Sequence, residues 1–229
     1  MEVEIIKRPS NAAAKIIIEP GESFTAEGGA MIAMSNSVRI ETTVNKPGGT
    51  KGIMGGFARK LAGEGFFLNH YSVSDTKGQV FLATHLPGDM ECIELDGTKK
   101  IKVQHGSFVA HESTVQMNIR WDGLKHMFSG EKMIWLEFSG TGKVIINAFG
   151  AVYPVDVEEE YIVDTGNIAA FEENLNFEIS KAGKSWVSSF LGGEGLVCRF
   201  SGKGRLWCQS HADRSFGKAL TPYLNPKKR

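Results

Sequence analysis

An excess of charge of either sign is missing from this sequence: 26 lysines and arginines stand against 26 aspartates and glutamates. Such a chain sets up no strong field for nucleic acid or for an anionic membrane surface. Only Lys227-Lys228-Arg229 is locally basic, as a frayed, solubilising end would be. Long apolar runs are missing too, and none approaches the roughly 20 residues that span a bilayer. The opening Met1-Glu2-Val3-Glu4-Ile5-Ile6 has acids where a signal peptide has a basic start. Residence in the cytoplasm is the expectation. Cysteine is scarce, and Cys92, Cys198 and Cys208 form an odd, widely spaced set. Cys198 and Cys208 flank one expected hairpin, yet buried, reduced thiols fit a cytoplasmic chain better.

Catalytic signatures are also absent. There is no Gly-x-Ser-x-Gly elbow, and no cysteine sits in a nucleophile motif. The histidines His70, His85, His105, His111, His126 and His211 are scattered, with no pair one helical turn apart beside an acid. Gly48-Gly49-Thr50-Lys51-Gly52 lacks the spacing of a phosphate loop and reads as a flexible insertion. Trp121, Trp135, Trp186 and Trp207 could stack bases, but no basic groove surrounds them, so core or subunit contact is their expected role. The expectation is a protein that is not an enzyme and that needs no cofactor or metal.

What the chain does have is internal repetition. Gly192-Gly193-Glu194-Gly195-Leu196-Val197 opens a turn and a strand, a glycine turn follows at Ser201-Gly202-Lys203-Gly204, and a second strand begins at Arg205. The same order occurs from Ser129-Gly130-Glu131, and more loosely from Ala62-Gly63-Glu64. Upstream, Gly29, Gly106 and Gly166 each precede an alanine by four positions, at Ala33, Ala110 and Ala170. An alternating strand then begins at Val38, Val115 and Leu175, with apolar residues on one face. Short apolar stretches over 53–61, 124–128 and 186–191 read as helical, because Phe57 and Leu61, Leu124 and Phe128, and Trp186 and Phe190 each share a helix face. Each stretch ends at glycine.

These signals define an all-β protein: one domain of three repeats, at about 3–86, 87–150 and 151–211, followed by a tail over 212–229. In that tail, Ser215 to Leu224 reads as a short amphipathic helix strained by Pro222. The turn residues Gly63, Glu64, Gly130, Glu131, Gly193 and Glu194 are the one symmetric set with chemistry. Three converging carboxylates could hold a cation, but each glutamate more simply accepts backbone N–H groups of its own turn.

Glu4-Ile5-Ile6-x-Arg8-Pro9-Ser10, Glu19-Pro20-Gly21-Glu22-Ser23, Glu27-x-Gly29-Ala30-Met31, Leu86-Pro87-Gly88-Asp89, Asp164-Thr165-Gly166 and Gly192-Gly193-Glu194-Gly195 together resemble the altered-inheritance-of-mitochondria family. The resemblance covers essentially the whole chain. It implies a β-sandwich, a short double-stranded β-helix similar to the tryptophan RNA-binding attenuation protein, and it supplies no catalytic residues. The functional expectation is a binding or scaffold protein acting as a homo-oligomer, with a trimer as one arrangement and its protein partner unknown. A small-molecule-binding module is the alternative, and RNA binding by fold analogy is a further one.

Overall fold

The computed structural model describes residues 1–44, 67–120, 134–181 and 196–224. The stretches over 53–61, 124–128 and 186–191 that read as helical lie outside them. Alternation builds the strands: in Ala13–Ile18 (β2) Ala14, Ile16 and Ile18 are buried and the residues between them are not. The first part of the chain holds Glu2–Ile6 (β1), β2, Ser23–Glu27 (β3), Met31–Met34 (β4), Val38–Val44 (β5), Phe67–Val73 (β6) and Gly78–Leu82 (β7). Gly88–Asp96 (β8), Ile101–Gln104 (β9), Phe108–Glu112 (β10), Val115–Arg120 (β11) and the long Trp135–Phe149 (β12) follow. The last part holds Val152–Val157 (β13), Glu160–Asp164 (β14), Ile168–Glu172 (β15), Asn176–Lys181 (β16), Leu196–Ser201 (β17) and Gly204–Gln209 (β18).

One antiparallel pairing scheme occurs in each part. β7 pairs with β2 and β4, while β6 pairs with β3 and β5. β18 pairs with β13 and β15, while β17 pairs with β14 and β16. In the middle, β12 takes both roles. Its later half pairs with β8 and β10, and its earlier half with β9 and β11. The changeover falls at Gly140 and Gly142, whose φ values are +105° and +142°. A Cβ on Gly140 would sit 2.8 Å from the Thr114 carbonyl oxygen, so glycine is required there. The register also shifts at one matched place, between Met31 and Ala33, Phe108 and Ala110, and Ile168 and Ala170. Each such shift bends the strand beside the spaced alanine.

The parts are joined edge to edge. β10 pairs with β3, and β15 pairs with β9. One arm of the large sheet therefore runs β8-β12-β10-β3-β6-β5, and the other runs β13-β18-β15-β9-β12-β11. Two partial sheets remain, β1-β2-β7-β4 and β14-β17-β16. Packing follows the same connections. Val109, Ala110 and Ile145 join the core of the first part, and Trp135 joins that of the last. The Trp135 ring meets Phe171 edge-on at 5.0 Å and is almost fully buried. After β18, Asp213–Leu220 (α1) ends one turn before the expected Leu224, since Pro222 falls in a 3-10 turn over Thr221–Tyr223. α1 rests on the body through Phe216, 5.2 Å from the Phe149 ring.

Candidate functional site

Gly63, Glu64, Gly130, Glu131, Gly193 and Glu194 all lie outside the described residues. Of the described histidines, His70 and His111 occupy register positions on either side of Thr25. His70 spans two strands, with Nδ1 2.8 Å from Thr25 Oγ1 and Nε2 2.8 Å from Thr43 Oγ1. His111 is buried, its Nδ1 2.8 Å from the Glu112 carbonyl, and that burial lowers its pKa. His211 packs against Phe149 at 5.3 Å. Among the described residues, no group of three histidines, cysteines or carboxylates could hold a metal. Cys92 and Cys208 carry free thiols, which burial lifts to about 11. Trp135 and Trp207 are core residues.

What the structure does bring out is a pair of strand edges. β10 and β15 each lie between two strands, whereas β4 pairs only with β7 among the described residues. β3 and β9 likewise lie between two strands, and among the described residues β14 pairs only with β17. The matched registers make the comparison residue by residue. Met31 faces Leu82, as Phe108 faces Ile146 and Ile168 faces Cys208. Phe108, Val109, Ile168 and Ala169 are wholly buried, but Met31 is 38% exposed, Ile32 58% and Met34 41%. On the other edge, Tyr161 faces Phe200, as Phe24 faces Tyr71 and Ile101 faces Phe138. Phe24 and Ile101 are buried, while Tyr161 is 43% and Ile162 51% exposed.

Sequence explains why these edges differ from the remaining ones. Exposed edges are ordinarily blunted by charge or proline. β5 carries Arg39 and Glu41, β8 carries Asp89, Glu91 and Glu94, and β13 carries Pro154. β4 reads Met-Ile-Ala-Met and has none of these. The charges of β14 stand at its two ends, where Glu160 binds Arg199 at 2.9 Å and Asp164 accepts the Gly166 N–H at 2.8 Å, and Tyr161-Ile162-Val163 between them is uncharged. The uncharged run at Met31 is the signal that the sequence offered for this edge, and the spacing of Gly29 and Ala33 marks its position.

Antiparallel hairpins joined edge to edge, with a partial sheet left at each end and one short C-terminal helix, define the class: an all-β protein of linked sheets. A family model described as mitochondrial biogenesis AIM24 matches residues 3–211, and the chain belongs to that family. An uncharacterized protein of Streptococcus pyogenes serotype M6 is 26% identical over 215 residues, covering 92% of this chain and 86% of that protein. A Streptococcus pyogenes protein known from its X-ray crystal structure shares the fold, with a TM-score of 0.79 at 24% identity. That alignment covers 97% of this chain and 99% of the other. Among the described residues, no helix is long and apolar enough to cross a membrane.

Proposed function

We propose that the chain is a non-enzymatic component of a homo-oligomeric assembly, a scaffold rather than a catalyst, acting in the cytoplasm. The observation that carries this reading is the pair of strand edges, β4 and β14, with Met31, Ile32, Met34, Tyr161 and Ile162 in solvent. Covering such an edge satisfies its outward backbone groups and removes apolar surface from water, at roughly 25 cal/mol per Å². We read the three parts of the chain as copies of one unit, over 3–86, 87–150 and 151–211. The recurring pairing scheme and the matched register shifts support that reading. A small-molecule-binding module would need a partly apolar pocket with converging polar groups, and RNA binding would need a basic face. Neither has an observation of its own among the described residues.

Native mass spectrometry tests the proposal. The expected result is a species at a multiple of the 25.0 kDa chain mass. A single chain at every concentration would overturn it, and a reproducible extra small mass would move the reading to the binding module.

A further inference from the structure

We propose that β14 of one copy pairs with β4 of the next, in a register that the chain already uses twice within itself. The inference rests on the oligomeric reading above and adds to it the surface, the direction and the residue pairs.

The junction between parts of the chain is the same in both places where it occurs. At the first, β10 meets β3 with Ala110 opposite Ala26, His111 opposite Thr25 and Glu112 opposite Phe24. At the second, β15 meets β9 with Ala170 opposite Val103, Phe171 opposite Lys102 and Glu172 opposite Ile101. One backbone bond beyond each pair fixes the end: the Ser113 N–H donates to the Ser23 carbonyl at 3.2 Å, and the Glu173 N–H to the Lys100 carbonyl at 2.9 Å. Counted without β1, which precedes the pairing scheme common to the three parts, the third strand of one part each time meets the second strand of the part before it. The second strand of the last part is β14, and the third strand of the first part is β4. Among the described residues, these two are left without a junction partner.

Carrying the register across by position gives Ala33 opposite Val163, Met34 opposite Ile162 and Ser35 opposite Tyr161. The Asn36 N–H then donates to the Glu160 carbonyl of the neighbouring copy. The side chains fit the pairing. Met34 and Ile162 are both exposed and apolar, and they take the places of His111 with Thr25 and of Phe171 with Lys102. Directly opposed apolar side chains stabilise a strand pair. β4 brings no charge to the contact, and Glu160 stays paired with Arg199. The occupant is therefore a second copy of this chain. The two edges are different surfaces, so the contact is head-to-tail and the assembly is a ring or a filament.

The test uses the full chain. Met34→Cys and Ile162→Cys are prepared separately, mixed, and treated with a short bis-maleimide, with the wild-type protein giving the background. A covalent dimer that forms in the mixture and in neither variant alone is the expected result. Ile162→Asp is expected to weaken assembly at least about tenfold in dissociation constant, because it sets a charge against Met34. Asn36→Pro gives a second reading that spares the fold. Val38 N–H closes a turn on the Ser35 carbonyl at 3.1 Å, and proline suits the position of Asn36 in that turn while deleting the N–H needed at the junction. It is expected to weaken assembly as well, with an unchanged circular dichroism spectrum. An oligomer that withstands both substitutions and gives no cross-link would overturn the β14–β4 contact and leave the scaffold reading standing on another surface. A native protein that is a single chain throughout would overturn both.

Discussion

The Glu172 carboxylate accepts the backbone N–H of Arg205 at 2.9 Å. Glu112 does the same for Lys143 at 2.6 Å, and the Ser35 hydroxyl does it for Gln79 at 3.0 Å. In each case a side-chain oxygen near the end of one strand fixes the start of the strand it pairs with or, for β12, the start of its later half. Glu172→Ala removes the acceptor and is expected to cost about 0.5–1.5 kcal/mol, with Glu172→Gln costing less because it keeps an oxygen there. Urea denaturation of the two variants beside the wild type checks both the size and the order.

Burial pushes the Glu27 carboxyl up to about 7, above the usual carboxylate range. The folded state then holds a proton that the unfolded chain has released. Stability attached to this group is present at low pH and falls as the pH rises from the ordinary carboxylate value through 7, with a slope of about 1.4 kcal/mol per pH unit at most. Glu27→Gln is expected to match the wild type near pH 4 and to exceed it at pH 8. Thermal melts at the two values read this directly, and equal melting differences at both would refute it.

Because burial lifts the Cys92 and Cys208 thiols to about 11, little reactive thiolate exists at neutral pH. Alkylation of the folded protein at pH 7.5 is expected to be far slower than in denaturing urea. Rapid labelling of the folded chain, located by peptide mass mapping, would contradict the burial of these side chains.

Trp135 belongs to β12 but is buried in the core of the last part, against Phe171 and Phe177. Trp135→Ala is expected to cost about 3–5 kcal/mol, the range for emptying a large buried aromatic site. Hydrogen exchange should show β17 losing protection along with β12. Loss confined to β12 would mean that Trp135 does not couple the two parts.

The sequence was most legible where burial is one-sided. Val38, Val115 and Leu175 announced strands because wet and dry positions alternate there, and β5, β11 and β16 lie at or within a residue of those starts. β10 and β15 gave no such signal. Phe108, Val109 and Ala110, like Ile168, Ala169 and Ala170, are buried in succession, and burial on both faces erases the period of two. Only the spacing from glycine to alanine pointed to them. The edges were harder still: Met31 and Phe108 look alike in sequence, and their different exposure depends on whether a strand far away in the chain lies alongside. The turn glutamates that drew attention in the sequence fall outside the described residues, and the edges lie elsewhere.

The long strand β12 has one further consequence. It is paired with β8 and β10 at one end and with β9 and β11 at the other, all in a single run of backbone. A slip of one residue in either half would drag the other with it, moving Leu136, Phe138, Val144 and Ile146 together out of the core they share and onto the faces that Trp135 and Ile145 occupy. β12 thus works as a ruler laid across two sheets: an error in one alignment is penalised twice, and both are set or neither is.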